Sequence, residues 1–264
     1  MRVAAWQCRP GPLDVAGNLR RLDEACASAA ARQAEVLVTP EMFTSGYGIT
    51  PGDAARLAED PGGPAEAAVA GIARRHKVAI AYGYPERATD GRAYNAATLI
   101  GSDGVARGRH RKVHLYGDLD KKTFIPSKTT PAAFPFGQAL VGLLICYDVE
   151  FPEAVRHLAV AGARTVLVPT ANMVGYEVVQ ELLVRARACE NGCGVVYANY
   201  CGADDVFEYN GLSVICGPSG EVLAKAGAHD EELLVADIPG ESTGAPYLAD
   251  RRADLYGPAW YGQH

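Results

Sequence analysis

Cys146 closes the apolar run Ala139-Leu140-Val141-Gly142-Leu143-Leu144-Ile145 and stands just before Tyr147-Asp148-Val149-Glu150-Phe151-Pro152-Glu153. This pattern predicts a buried strand that stops at a cysteine, with a helix beginning within a few residues. A side chain on such a turn projects from a rigid edge, near backbone N–H groups that favour negative charge. That setting suits a thiolate nucleophile. Cysteine is also among the most buried residue types, and a lone one is usually inert packing. Two more residues of chemical interest fall where strands end. Glu41 follows Val36-Leu37-Val38-Thr39-Pro40, and a carboxylate closing a buried strand is costly unless it is paired or in a cleft. Lys112 lies in Arg109-His110-Arg111-Lys112-Val113-His114-Leu115. On a strand, Val113 and Leu115 face one way and Lys112 and His114 the other. Taken singly, Glu41 reads as a solvated loop carboxylate and Lys112 as a solvated edge lysine.

Other chemistries lack their residues. There is no Gly-x-Ser-x-Gly elbow, phosphate loop or His-Glu-x-x-His. His110 and His114 would stand about 13 Å apart on a strand, too far to share a metal. Cys189 and Cys193 share a helical face, but no further ligands follow at zinc-like spacing.

The elements that must position these residues alternate along the chain. Strands are predicted at 2–7, 35–40, 78–84, 94–101, 105–115, 139–145, 165–169, 195–199, 212–216, 221–225 and 233–238. Helices are predicted at 14–33, 64–76, 152–161 and 177–191, with Pro64 at a first turn and Gly192 as a stop. Gly101-Ser102-Asp103-Gly104 reads as a hairpin turn. The stretch 116–135 reads as a loop of functional length. No Gly/Ser or Pro-rich linker divides the chain, so residues 1–264 read as a single domain, with 239–264 as a tail carrying Tyr247, Tyr256, Trp260 and Tyr261. Glu35-Val36-Leu37-Val38-Thr39-Pro40 and Thr165-Val166-Leu167-Val168-Pro169-Thr170 echo one another. They read as two similar buried strands or as two related halves about a pseudo-twofold. Mixed strands and helices imply sheets inside and helices outside.

Composition narrows the class. A chain of 264 residues with 48% hydrophobic and 21% charged residues is an ordinary globular protein with room for a large core. The net charge of −6 argues against a general nucleic-acid binder, and 107–112 is the one compact basic stretch. No run approaches the roughly 20 apolar residues of a membrane span, and the N-terminus lacks a signal-peptide core. Seven scattered cysteines, an odd number, read as free thiols in a reducing compartment. The expected localisation is cytoplasmic.

Thr39-Pro40-Glu41-Met42-Phe43, Arg111-Lys112-Val113-His114-Leu115 and Cys146-Tyr147-Asp148-Val149-Glu150-Phe151-Pro152-Glu153 together resemble the three signatures of the nitrilase (carbon–nitrogen hydrolase) superfamily, in their order and spacing. Arg187-Ala188-Cys189-Glu190-Asn191, Tyr197-Ala198-Asn199 and Tyr247-Leu248-Ala249-Asp250-Arg251-Arg252 are similar to further segments of it. The resemblance covers nearly the whole chain. Each motif is moderately specific and the ordered set highly so.

The resemblance implies an α-β-β-α sandwich, two mixed sheets face to face with helices outside. It implies Cys146 as nucleophile, Glu41 as general base and then acid, and Lys112 as an electrostatic partner, with no metal or organic cofactor. The Lys112 ammonium and the Tyr147 backbone N–H are the expected oxyanion donors. Lys112 favours a thiolate and Glu41 opposes it, so the resting protonation of Cys146 stays open at this point. The family often carries a second Glu after the Lys. No Glu occurs between Lys112 and Glu150, and Asp120, rather than Asp118, better matches an acidic position of one amidase-like branch. The residues after Cys146 look more like amidase branches than nitrilases. A small aliphatic or amino-acid amide is the expected substrate, with Tyr116, Tyr147, Asn172 and Met173 as candidate pocket residues. An N-carbamoyl amino-acid hydrolase or a nitrilase is the alternative, and a catalytically idle binding or assembly subunit is the alternative of a different class. Tails of this kind join subunits in the family, so a homodimer or larger homo-oligomer is expected.

Overall fold

The computed structural model describes residues 1–240 and 242–256. Two six-stranded sheets form its centre. The first contains β1 (Arg2–Gln7), β2 (Val36–Val38), β3 (Ala79–Arg87), β4 (Ala93–Ile100), β5 (Ala106–Arg111) and β14 (Glu232–Asp237), in the order β14-β1-β2-β3-β4-β5. The second contains β6 (Ala133–Phe136), β7 (Ala139–Leu143), β8 (Ala163–Pro169), β9 (Gly194–Ala198), β12 (Val214–Cys216) and β13 (Val222–Lys225), in the order β13-β12-β9-β8-β7-β6. A small hairpin, β10 (Cys201–Ala203) with β11 (Glu208–Asn210), stands apart.

Side-chain alternation explains the layers. Val3, Ala5, Val36, Val38, Ala79 and Leu99 share one buried cluster with Val141, Leu143, Leu167, Val196 and Ile215 of the other sheet. The alternate residues Ala4, Leu37 and Ile80 pack under α1 (Val15–Ala31) and α3 (Pro64–His76), against Leu22, Cys26, Val69 and Ala73. On the far side, Val166, Val168, Val195 and Val214 pack under α5 (Pro152–Val160) and α6 (Val184–Asn191), against Val155, Leu158 and Ala188. The central strands β1, β2, β3, β7, β8 and β9 are buried on both faces, which is why they read as near-continuous apolar runs, unlike the charged edge strand β5. The result is the expected α-β-β-α sandwich.

The echo between 35–40 and 165–170 corresponds to topology. β1, β2 and β3 are mutually parallel neighbours, and so are β7, β8 and β9. In each sheet the next two strands follow antiparallel, and an antiparallel strand flanks the first. β2 and β8 thus hold equivalent central places.

Several expectations are corrected. The loop predicted at 116–135 contains α4 (Gly117–Thr123) and β6. The strand predicted at 105–115 ends at Arg111, so Lys112 and His114 do not follow strand alternation. The helix predicted from Glu177 opens with a π-turn at Val179–Leu183 before α6. The helix α2 (Pro51–Leu57) and the β10–β11 hairpin were not anticipated. For α2 the signal was present, since Thr50 caps the Asp53 N–H and Pro51 opens the first turn. In the tail, Tyr247 is exposed, whereas Trp260 and Tyr261 lie outside the described residues.

Candidate active site

Glu41 lies just beyond β2 and joins the two sheets. Its N–H donates to Thr170 O at 3.1 Å, across to the end of β8. Met42 beside it has a φ of +50°. This backbone passes directly over Gly83 of β3, where a Cβ would lie 2.3 Å from Met42 N and 2.9 Å from the Glu41 carbonyl carbon. The Glu41 side chain is fully buried. Its Oε1 accepts from Asn95 Nδ2 at 2.6 Å and from Lys112 Nζ at 2.7 Å. Its Oε2 is buried without a hydrogen-bond partner. Burial raises the Glu41 carboxyl above its ordinary value, and the Asp120 charge adds to that, against the pull of Lys112.

Lys112 stands one residue past β5 and is anchored by its own N–H to Asn95 O at 2.8 Å. Its ammonium is shared between Glu41 and Asp120, at 2.7 and 2.6 Å. Burial alone would push this amine down. The Asp120 and Glu41 carboxylates outweigh burial and hold it charged, well above the ordinary lysine range. Asp120, on α4, also accepts from Tyr116 N–H at 3.0 Å through the same Oδ2, and its Oδ1 is buried without a partner. The shorter aspartate therefore reaches Lys112. Asp118 is exposed and pairs with Lys122.

Cys146 begins a tight 3₁₀ turn, Cys146–Glu150, between β7 and α5. Its φ of +46° is uncommon for a residue with a Cβ, and such strain concentrates at functional sites. Cys146 is buried, with 8% of the residue exposed. Burial first, and then the Glu41 charge, push its thiol well above its ordinary value, opposed by Lys112 and the Ala171 backbone N–H.

Asp148 ties the lysine segment to the cysteine turn. It accepts from His110 Nε2 at 2.9 Å, His114 Nδ1 at 2.8 Å, and the N–H groups of Val113, His114 and Ile145. Burial would raise this carboxyl, but the two histidines overcome it and hold it below the usual carboxylate range. His110 and His114, placed far apart by strand geometry, thus meet on one carboxylate because the chain turns after Arg111. Arg187 of α6 clamps the other end of the turn, donating to Val149 O at 3.2 Å and Glu150 O at 2.8 Å. Among the described residues no group of three or more His, Cys, Asp or Glu is placed to hold a metal ion.

Cys146 opens into a cavity of about 200 Å³. All four residues expected to line a pocket, Tyr116, Tyr147, Asn172 and Met173, do line it. Tyr47, Glu150, Ala171 and Tyr176 also line it and were not singled out from sequence. Tyr47 links the cavity to the buried charges, since Lys112 Nζ lies 5.6 Å from its ring centroid. The Asn172 amide is already engaged: Nδ2 donates to Tyr176 O and Gln180 Oε1, both at 3.0 Å. Asn95, missed as well, was detectable as a polar residue inside the apolar run 93–100.

A buried acid–ammonium–acid cluster beside a thiol, on a sandwich of this topology, defines a cysteine-dependent hydrolase class. The carbon-nitrogen hydrolase family pattern matches residues 2–246, and the chain belongs to that family. It is 46% identical over 261 residues to the "hydrolase in pqqF 5′ region" of Pseudomonas protegens, covering 97% of this chain and 90% of that protein. It is 35% identical to an (R)-stereoselective amidase of a Pseudomonas species, covering 97% and 93%. A solved structure of a Nesterenkonia sp. AN1 amidase variant, with covalent addition of the acetamide moiety of fluoroacetamide at the active site cysteine, is 38% identical with a TM-score of 0.88, covering 97% of this chain and 95% of that one.

Proposed function

We propose that this carbon-nitrogen hydrolase is an amidase that converts a small amide to its carboxylic acid and ammonia through a thioester on Cys146. The observation that carries this reading is the meeting of Glu41, Lys112 and Asp120 in one buried network beside the cavity that holds the Cys146 sulfur. The cavity volume of about 200 Å³ falls below the 300 Å³ where pockets for drug-sized ligands begin, which favours a short substrate.

The protonation states suit this cycle. Burial disfavours the Cys146 thiolate, so attack calls for a base, and burial likewise raises the Glu41 carboxyl, which suits it to take the proton. Glu41 takes the Sγ proton as sulfur bonds to the amide carbon. The carbonyl oxygen becomes an oxyanion that the Lys112 ammonium stabilises, which is typically worth about 100- to 1000-fold in rate. The tetrahedral adduct collapses, the C–N bond breaks, and protonated Glu41 gives its proton to the departing nitrogen. Ammonia leaves a thioester. Glu41 then deprotonates a water that attacks the thioester carbon, the C–S bond breaks, the thiolate is reprotonated by Glu41, and the acid departs. Asp120 holds Lys112 in place and charged throughout. Tyr116, Tyr147 and Met173 shape the space for the acyl chain, and Asn172 supports it as part of a fixed amide network.

The chain acts in this reading as one domain over 1–264 and as a homodimer. Val174, Tyr176, Val178 and Leu182 are exposed, apolar area in one stretch of chain that a second copy would cover. All seven cysteines are free, which suits the cytoplasm.

Intact-protein mass spectrometry with short-chain amides tests the chemistry. An acyl adduct that requires Cys146, ammonia release, and loss of both in a folded Cys146→Ala variant are expected. Full activity in Cys146→Ala would end the proposal.

A further inference from the structure

The cavity wall carries a carboxylate that the hydrolytic cycle does not use. Glu150 is half-buried and faces the same space as Cys146. The two cations whose fields reach it, Lys112 and Arg187, are engaged elsewhere. Lys112 is held by Glu41 and Asp120, and Arg187 by Glu190 and two backbone carbonyls. No ion-pair partner of Glu150 is found among the described residues. The buried cluster behind the cavity formally carries two carboxylates against one ammonium. Among the described residues no cation lines the cavity.

Four tyrosines, Tyr47, Tyr116, Tyr147 and Tyr176, stand among the other lining residues. Tyr116 meets Tyr147 edge-on at 5.2 Å between centroids and Tyr176 edge-on at 5.7 Å. Tyr47, itself buried, also lines the cavity. Tyrosine rings lining the same cavity as a carboxylate form a setting that attracts an ammonium group, because a ring face presented to it and the anion act with the same sign. The same setting repels a carboxylate-bearing substrate.

Resting on the amide reading above, the geometry points to a specificity role for Glu150: with the Tyr47, Tyr116, Tyr147 and Tyr176 rings it selects amides whose acyl chain carries an amino group in its cationic form. The ammonium lies against Glu150 while the carbonyl carbon sits at Sγ. The favoured class is the amino-acid amides.

Isosteric amides separate charge from shape. Butyramide, β-alaninamide and 3-hydroxypropanamide differ only in a terminal methyl, ammonium or hydroxyl. Assays at about pH 7.5 lie above the value of about 6 to which burial lifts the Glu150 carboxyl. The cationic member is expected to exceed butyramide in kcat/KM by about 10-fold or more. Glu150→Gln is expected to bring that ratio close to one, and added salt to lower it in the unmodified enzyme. If butyramide is turned over and β-alaninamide is equal or slower, the charge preference is overturned and the amide reading stands. Equal gains for the hydroxyl and ammonium members would also overturn it, leaving Glu150 a simple hydrogen-bond acceptor. No turnover of any member would overturn the amide reading and the preference together. The unmodified enzyme supplies the decisive ratio even if Glu150→Gln fails to fold.

Discussion

Gly83 offers a sharp test of how the general base is held. Replacing it by Ala would place a Cβ 2.3 Å from Met42 N and 2.9 Å from the Glu41 carbonyl carbon. Ordinary contact begins at 3.4 Å, so the two backbones must part by about 1 Å, a displacement that costs on the order of 100-fold in rate when it reaches a reacting group. The neighbours cannot yield cheaply. They are backbone atoms, and Glu41 N–H is tied to Thr170 O at 3.1 Å on the opposite side. Overpacking of this kind costs about 1–3 kcal/mol in stability, or about 2–4 °C in Tm per kcal/mol for a chain of this size. Gly71 supplies the control. It lies in α3 with nothing within 4 Å of its would-be Cβ, so Gly71→Ala is expected to stabilise by about 0.5–1 kcal/mol with unchanged turnover. The assay pairs thermal melts with kcat and KM on one amide. Gly83→Ala should lower kcat far more than its stability loss explains, with KM little changed. Wild-type kcat in a folded Gly83→Ala protein would refute the idea that β3 sets the position of Glu41.

Two further substitutions probe the charges. Asp120→Asn removes a carboxylate that adds to the upward push of burial on Glu41, so the acidic limb of the kcat/KM profile should move to lower pH, with kcat down about 10- to 100-fold as Lys112 loses an anchor. Unchanged kinetics would reduce Asp120 to a structural turn residue. Asp148→Asn should destabilise by about 3 kcal/mol, the usual scale for breaking a buried charged network. Because the folded Asp148 carboxyl is held below its ordinary value, its contribution is full above about pH 4 and drains as pH falls toward the folded value, so melts between neutral and acid pH should show a shallower acid slope in the variant. Identical slopes would show that the histidine pair does not hold the charge.

Glu41 and Cys146 were legible because each closes an apolar run, a pattern carried locally, whereas Lys112 follows the charged stretch Arg109-His110-Arg111 and stood out only as part of the ordered set of motifs. The sheets and outer helices were legible for the same reason, since burial on both faces leaves continuous apolar strands. What escaped depends on contacts between distant segments. Gly83 sits in Ala81-Tyr82-Gly83-Tyr84, where nothing signals that the backbone of Glu41 crosses it. His110 and His114 look like alternating strand residues until the chain turns after Arg111 and brings both to Asp148. α4 is seven residues of charged, polar chain with no apolar stripe, held by the Asp120–Lys112 pair and not by its own periodicity.

The repeated strand order explains why the chemistry assembles at one end of the molecule. β1, β2 and β3 run parallel, and two antiparallel steps through β4 return β5 to the same direction. Glu41 after β2 and Lys112 after β5 therefore leave the first sheet at one edge. Cys146 after β7 and Ala171 after β8 leave the second sheet at the edge that meets it, as the Glu41 N–H to Thr170 O bond shows. Open α/β sheets place ligands beyond the carboxyl ends of their parallel strands, and here two such ends face each other. The final adjustment is made by one backbone angle. Leu144 packs under α5 with Val155 and Leu158, whereas Ile145 and Cys146 belong to a separate small cluster with Ala97. Continued strand alternation would return residue 146 to the helix-facing side with Leu144. The φ of +46° at Cys146 breaks that alternation and turns the sulfur into the cavity.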